Sequence, residues 1–305
     1  MNLRTRVTAF ALISLLSGLL VGCGGDANTE PVAADPNPET TSGSTSEPTT
    51  PAESPTESPS DGTGEPGAVA APIYFVGDTP LGSKLYREFR QVGSDNPMEE
   101  ALALLVTGDA LDPDYGTLLS GLVVTSVSDN DDMIVVDLGA DSRTADKSVS
   151  PDDGALAVQS LVYTLQGVSQ TSDPVQVTVG GVPTPLFGQP TDTGVDAADQ
   201  LDVLALVSIT TPESDAAVSG TFTADGVASS FEATVPWQVR DESGEVVLDG
   251  FSTADGWVDK LYPWSSVVDV SSLDPGTYTF AALTDDPSGG EGPGPFEDTK
   301  TITVE

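Results

Sequence analysis

The sequence predicts an α+β domain followed by an all-β sandwich, both placed after a segment that has no apolar core. Two helix patterns lie among short apolar runs between residues 73 and 190, and they predict the order β-β-α-β-β-α-β. From residue 200 to 305 only strand patterns and turn residues occur. About seven strands in about 100 residues favour an immunoglobulin-like sandwich. From residue 24 to 72 the chain is mostly Ser, Thr, Pro, Glu, Asp, Gly and Ala.

Composition excludes several classes of function. The chain has 305 residues and a formal charge of -38, from 10 basic and 48 acidic residues, so it should repel nucleic acids. Histidine is absent and there is one cysteine. Triads that use histidine, thiolate metal clusters and internal disulfides are therefore excluded. No phosphate-binding glycine motif is present. We expect no catalytic residues, no cofactor, no metal and no nucleic-acid partner.

The N-terminus has the pattern of an export signal. Arg4 and Arg6 precede an apolar run over residues 7–21, which is short for a membrane span. The run ends in Leu-Val-Gly-Cys at Cys23, a sequence that resembles the bacterial lipobox. The resemblance implies that residues 1–22 are a lipoprotein signal peptide and that Cys23 carries acyl chains such as palmitate. Several acyl chains anchor stably, so we expect a lipid-anchored protein on the extracytoplasmic face of the cell membrane.

Residues 23–72 are predicted to be the lipidated cysteine and a disordered stalk. Stretches such as Glu53-Ser54-Pro55-Thr56-Glu57 offer no large apolar side chain to bury. Such a segment cannot offset its ordering entropy, and its prolines and like charges favour extension. The stalk would hold the folded domains away from the membrane.

The α+β domain is predicted over residues 73–190, with both helices on one face of a small sheet. Asn96 is the expected N-cap of the first helix, with Pro97 at its first position, Glu99 completing a capping box and Gly108 ending it. The second helix should begin after Ser150 and end at Gly167. The predicted strands cover residues 73–76, 84–92, 122–127, 133–138 and 175–179.

The sandwich is predicted over residues 200–305. Its predicted strands cover 203–209, 218–223, 230–239, 245–252, 257–268, 277–283 and 299–304. In the third of these, Phe231 and Trp237 should face the core, and Pro236 suggests an edge strand or a bulge. Residues 274–278 read as a tyrosine corner at Tyr278, which places Phe280 where an antibody domain has its second cysteine.

Both regions resemble known domains. The ordered set of IYFV, LYREFRQV, a helix ending in LLVTG, SVSDNDDMIVVDL and ALAVQSLVYTLQGVSQTSDPVQVTVGG resembles the GerM-type sporulation and spore-germination domain. The stretches TTPESDAAVSGTFTADG and FEATVPWQV resemble the immunoglobulin-like domain that accompanies it in germination-associated lipoproteins. GerM-type domains are similar to ring-building modules of secretion and sporulation channels. The resemblance implies protein–protein assembly in the cell envelope and no enzyme activity.

Four groups of side chains are candidate sites, each with a simpler interpretation. Asp129, Asp131 and Asp132 could bind calcium but fit a hairpin turn better, and Asp285, Asp286 and Glu291 fit a solvated acidic loop. Trp257, Tyr262 and Trp264 could stack on sugars but fit core or edge packing better. Lys84, Arg87 and Arg90 could accept an acidic neighbour, such as a second copy, or could pair with local carboxylates.

The function predicted from the sequence is that of a non-catalytic assembly or interaction lipoprotein of the cell envelope, bound to an envelope protein or to itself. The alternative interpretation is a lipoprotein that binds cell-wall glycan through the aromatic residues. A third interpretation is a hydrolase that uses paired carboxylates.

Overall fold

The computed structural model describes residues 67–130, 132–146, 148–286 and 294–305. These residues lie within one compact unit, Pro59–Glu305. The expected signal peptide, Cys23 and the expected stalk up to residue 66 lie outside the described residues, as do Asp131 and Glu291 of the acidic loops. None of the described helices combines the length and the apolar character needed to cross a membrane.

The first domain has the predicted order of elements, with one added two-residue strand. Its elements are β1 (Ala68–Thr79), β2 (Gly82–Gly93), α1 (Pro97–Thr107), β3 (Val124–Asp129), β4 (Ile134–Leu138), α2 (Pro151–Ser169), β5 (Val175–Val179) and β6 (Val182–Pro183). The α+β fold class is thereby confirmed. β1 begins at Ala68, inside the segment expected to be stalk.

The strands of this domain form two hydrogen-bonded ladders, where the sequence suggested one small sheet. β1 and β2 form an antiparallel hairpin, and β3, β4, β5 and β6 form a separate sheet in that order, with β4 and β5 parallel. The hairpin joins the core by packing, because Ala71, Ile73 and Phe75 of β1 are buried against the helices. The expectation of a single sheet was therefore wrong.

Helix α1 begins and ends at the predicted residues, but its expected capping box is absent. The Asn96 side chain makes no capping bond. Glu99 instead accepts a hydrogen bond from the Val127 backbone N–H at 3.3 Å, which ties the helix to β3. Gly108 ends the helix with a left-handed φ of 71°, as glycine commonly does.

Helix α2 begins as predicted and continues beyond the predicted end. The Ser150 hydroxyl accepts a hydrogen bond from the Asp153 N–H at 3.1 Å. The helix runs through Gly167 to Ser169. A Cβ at Gly167 would lie 2.6 Å from Cγ of Pro72, so this glycine permits close packing of α2 on β1 and does not end the helix.

The second domain is a sandwich of a five-stranded and a three-stranded sheet, which confirms the immunoglobulin-like class. Its elements are α3 (Gln200–Val203), β7 (Val207–Thr211), β8 (Ala216–Val218), β9 (Thr221–Ala228), a 3-10 turn (Phe231–Ala233), β10 (Thr234–Arg240), β11 (Val246–Thr253), β12 (Tyr262–Asp269), β13 (Gly276–Leu283) and β14 (Glu297–Val304). The sheet orders are β11-β10-β13-β14-β8 and β12-β9-β7. One predicted strand is divided at Gly220, so that β8 and β9 join different sheets.

Strand β10 differs from its prediction at two positions. Phe231 lies outside it and is 40% exposed, because Glu232 and Ala233 adopt left-handed backbone angles before the strand begins. Pro236 does not mark an edge, because β10 lies between β11 and β13. The ladder with β13 begins at Trp237, so Pro236 lies just outside it and its missing N–H interrupts no bond there.

The tyrosine corner and the aromatic core are as predicted. The Tyr278 hydroxyl donates a hydrogen bond to the Asp274 carbonyl oxygen at 2.9 Å. Phe280 is fully buried, with its ring centroid 6.2 Å from that of Trp237 and 5.8 Å from that of Phe222. Aromatic packing thus holds the two sheets together where an antibody domain has a disulfide.

Candidate functional site: the interface between the two domains

The two domains meet through β2 and the segment that precedes β7. The Ala205 N–H donates a hydrogen bond to the Leu85 carbonyl at 2.9 Å, and Leu85 and Leu204 form a parallel bridge. The side chains of Leu85, Leu156 and Leu204 are buried together. The contact between the domains therefore combines backbone pairing with an apolar cluster of its own.

The segment between the domains is fixed to helix α2. Gln159 donates a hydrogen bond to the Asp196 carbonyl at 3.1 Å and accepts one from the Ala198 N–H at 2.8 Å. The Tyr163 hydroxyl donates to the Ala198 carbonyl at 2.5 Å. The connecting segment is thus held along its length and is not a free linker.

A buried charge network crosses the interface. Lys300 of β14 lies 2.5 Å from Asp112, in the loop between α1 and β3, and 3.3 Å from Asp298. All three side chains are at most 3% exposed. The Lys300 ammonium also donates a hydrogen bond to the Tyr115 hydroxyl at 2.7 Å and lies over its ring. One cation of the second domain is therefore held by two residues of the first.

The carboxylates of this network are occupied by protein donors. Asp298 accepts hydrogen bonds from the Tyr115 hydroxyl at 2.7 Å and from the Ile209 N–H at 2.6 Å. Asp112 accepts one from the Asp114 N–H at 2.9 Å. Burial raises the pKa of the Asp298 carboxyl, and Lys300 opposes that effect. The network can fix the domains to each other, but a substrate has no access to its acids.

Alkaline pH is expected to weaken the folded state through Tyr86 and Tyr115, whose rings stack at 4.8 Å. Burial, and then the charge of Asp298, raise the pKa of both phenols above the ordinary value of 10.0. The unfolded chain therefore loses these protons at lower pH than the folded chain does. The stabilisation is complete below about pH 10 and is lost as pH rises towards the folded pKa values.

This effect is measured by urea unfolding between about pH 9 and about pH 11. The midpoint should fall with pH more steeply in the wild-type protein than in Tyr115→Phe, which has one phenol fewer to titrate. Equal slopes in the two proteins would contradict the assignment.

The three basic residues of β2 are engaged within the molecule. Lys84 donates to the Asp202 carbonyl, and Arg87 donates to the Thr210 hydroxyl at 3.2 Å, so both reach the second part of the chain. Arg90 pairs with Asp109 at 3.3 Å. The expectation of pairing with local carboxylates holds for Arg90 alone, and the three do not form one open basic surface.

The three aromatic residues expected near residue 260 do not form one surface. Tyr262 and Trp264 lie two residues apart on β12 and face the core, where Trp264 is 3% exposed. Trp257 lies in the preceding loop, 39% exposed, with its ring 5.1 Å from that of Phe231. Packing was therefore the correct interpretation for Tyr262 and Trp264, and the exposed pair is a different one.

The acidic loops are separate turns. Asp129 ends β3, and Asp132 follows it in the hairpin before β4. Asp285 donates its N–H to the Ser230 hydroxyl at 2.7 Å. Over the described part of the chain, no group of three or more Asp, Glu, His or Cys side chains could hold a metal ion.

A groove of about 810 Å³ runs beside the interface. It lies between the turn of the β1–β2 hairpin, the first turns of α2 and the segment that joins the domains. Leu156, Val158 and Val195 supply apolar lining, and Lys84 and Asp202 supply charge. Leu81 lines it at the hairpin turn and is 65% exposed. Its volume lies in the range of about 300–1,000 Å³ that is usual for ligand pockets, and its lining is part apolar and part charged.

Comparisons with known proteins agree with this architecture. Residues 72–185 match the family model for sporulation and spore germination, and residues 206–291 match the immunoglobulin-like domain of bacterial spore germination. No curated protein matches the chain.

Two solved structures show distant similarity. The tandem GerMN domains of the sporulation protein GerM from Bacillus subtilis are 15% identical, with a TM-score of 0.35 over 68% of this chain and 63% of that one. A lytic polysaccharide monooxygenase from Jonesia denitrificans is 14% identical, with a TM-score of 0.21 over 31% of this chain and 60% of that one. The chain thus spans less than two thirds of either protein's length.

The fold and its interface define a two-domain protein in which an α+β domain is fixed to an immunoglobulin-like sandwich. The chain contains a sporulation and spore-germination domain followed by an immunoglobulin-like domain of bacterial spore germination. The resemblance inferred from the sequence is confirmed for both domains. Neither family is one of known enzymes.

Proposed function

We propose that this protein is a lipid-anchored protein of the extracytoplasmic face of the cell membrane, and that its two domains act as one non-catalytic module for assembly in the cell envelope. The observation that carries the proposal is the buried contact of Lys300 with Asp112 across the domains. It favours a fixed two-domain body, which can present surfaces of both domains to a partner in one arrangement.

The absence of catalysis is supported by the chemistry of the acids. Asp112 and Asp298 are the closely placed pair in the described interface, and both bind Lys300 out of reach of solvent. A hydrolase needs two carboxyl groups that face a cleft holding the substrate. Glycan binding has weaker support, because Trp264 lies in the core, and Phe231 and Trp257 are the exposed aromatic pair in ring contact within the described residues.

Membrane attachment is tested by replacing Cys23 with Ser. The acyl chains would be lost, so we expect the protein to leave the membrane fraction and to lose labelling by a clickable palmitate analogue. The matched control is Ser17→Ala, which changes a small residue of the same segment and keeps the cysteine. If the Cys23→Ser protein stayed in the membrane fraction and was labelled by the palmitate analogue as strongly as the wild-type protein, lipidation at this residue would be contradicted.

The assembly partner is sought by crosslinking in cells. A photoreactive residue placed at Leu81, in the groove, should capture an envelope protein or a second copy of the chain. The control position is Val267, which is 70% exposed on β12 in the other domain. Discrete products from residue 81 alone would support the groove as the binding surface. The assembly proposal fails if neither position yields a crosslinked product although the protein is fully attached to the membrane.

A further inference from the structure

Strand β11 forms one edge of the five-stranded sheet, and among the described strands β10 alone pairs with it. The ladder between them is regular from Leu248 onwards, because Val247 bulges out of it. Leu248 packs on the core, whereas Asp249, Phe251 and Thr253 are exposed on the outer face. Phe251 is 70% exposed. The strand therefore presents an aromatic ring beside a row of backbone donors and acceptors that no described strand pairs.

The other edges of the described sandwich are protected. β8 has three residues, and β12 contains Pro263, which has no N–H to donate. β7 is covered by the first domain, where Arg87 of β2 donates to Thr210. β11 has eight residues with no proline and no basic residue, and Asp249 is its one charged residue. Because natural edges are blunted by short length, proline or charge, β11 is the edge that is open to a partner strand.

We infer that β11 pairs antiparallel with β11 of a second copy of the chain, so that the five-stranded sheets of two molecules join across a two-fold axis. Such an interface uses the same residues on both copies and closes at the dimer. The inference names a partner for the assembly function proposed above, and rests on that function, but it uses a different surface from the groove. A contact along one strand is smaller than the about 1,200–2,000 Å² of stable interfaces, so the pairing is weak and attachment of both copies to one membrane favours it.

The exposed side chains select one register for this pairing. Opposed residues of an antiparallel ladder face the same side, so the two-fold axis passes through a residue position. An axis at Gly250 or at Phe251 gives the longest overlap of the regular part of β11. The axis at Gly250 would place each Phe251 opposite an Asp249. The axis at Phe251 places the two aromatic rings opposite each other and Asp249 opposite Thr253, and aromatic pairs stabilise neighbouring strands, so we assign this register.

The test is disulfide formation between purified full-length chains that carry Asp249→Cys or Thr253→Cys. A mixture of the two should give a covalent dimer under mild oxidation, because residue 249 of one copy lies opposite residue 253 of the other. Each variant alone should give none, since its own added cysteines would lie about 13 Å apart, too far for a disulfide. Peptide mass mapping identifies the 249–253 bond, and the unmodified chain controls for bonds made by Cys23.

Adding Phe251→Lys to both chains should lower the yield of this disulfide about tenfold, because an aromatic pair is lost and two ammonium groups face each other. Folding should be unaffected, since the side chain is exposed. Val267→Lys is the matched control, because Val267 is also 70% exposed but lies on β12, and the yield should not change. Equal yields from the two lysine variants would overturn the inference.

Salt gives a second measurement on the mixture without the lysine changes. Each copy has a formal charge of -38, so the two copies repel each other and added sodium chloride should raise the yield by screening that repulsion. A yield that falls with salt would overturn pairing through β11, because it would indicate a contact between acidic and basic groups.

The remaining outcomes separate this inference from the function on which it rests. A disulfide from Asp249→Cys alone would overturn the assigned register. A mixture that forms no 249–253 disulfide, in a protein that still crosslinks from residue 81 in cells, would overturn self-pairing and leave the assembly proposal in place. Failure of both experiments would remove both proposals.

Discussion

Replacing Lys300 with Met is expected to destabilise the protein by about 3–5 kcal/mol, the usual cost of removing one partner of a buried ion pair. Asp112 and Asp298 would remain buried without the cation that both contact at present. The methionine chain fills similar space, so the loss reports charge and not a cavity. We also expect the two domains to unfold at different urea concentrations, because the network that joins them would be broken.

The measurement is urea unfolding, followed by tryptophan fluorescence and by far-UV circular dichroism. The three tryptophans all lie in the second domain, whereas α1 and α2 dominate the helical signal of the first. Wild-type protein should show one transition by both probes, and Lys300→Met should show two that no longer coincide.

Lys260→Met is the matched control, because Lys260 is exposed and its ammonium lies over the ring of Tyr262. Its effect should stay below about 1 kcal/mol. Adding Asp112→Asn to Lys300→Met should restore part of the stability by removing one unpaired charge. Equal stability of Lys300→Met and Lys260→Met would show that the buried network does not hold the domains.

The network could have been suspected from the sequence, but its partners could not have been found there. Every second residue of β14 points to the same face, and the four residues on that face are Asp298, Lys300, Ile302 and Val304. All four are buried. Charged residues at core-facing positions of a strand require partners. The partners in the other domain, Asp112 and Tyr115, lie 188 and 185 residues before Lys300, and strand periodicity carries no information about contacts at that distance.

Local signals were reliable where neighbouring residues determine the structure. The Ser150 cap, the Gly108 ending and the Tyr278 corner each depend on residues within a few positions, and each occurs as predicted. Predictions failed where distant contacts decide. Gly167 is explained by Pro72 rather than by a helix end, and strand pairing divided the expected single sheet into two.

Distant contacts also decided which of the candidate site residues lie together. The basic residues of β2 were noticed because they lie close together in sequence, yet Asp202 and Thr210, the partners of Lys84 and Arg87, belong to the other side of the interface. The aromatic residues near 260 were grouped because they lie close together in sequence. In the structure Trp264 is buried in the core, whereas Trp257 lies in the loop before β12 and is partly exposed.

Replacing Phe280 with Ala is expected to cost about 3–5 kcal/mol, the range for removing a fully buried aromatic side chain. Its ring contacts those of Trp237 and Phe222, and so links side chains from both sheets of the sandwich. With a single cysteine in the chain, no internal disulfide can compensate for the loss. The sheets would then be joined by smaller side chains around a cavity.

Chemical unfolding monitored by fluorescence measures this loss, since the Trp237 indole lies against the deleted ring. Phe251→Ala is the matched control in the same domain, because Phe251 is 70% exposed and should cost less than about 1 kcal/mol. Phe280→Leu should fall between the two, because it keeps part of the apolar volume. A small effect of Phe280→Ala, similar to that of Phe251→Ala, would mean that the two sheets are held by their edges and turns and not by the central aromatic contacts.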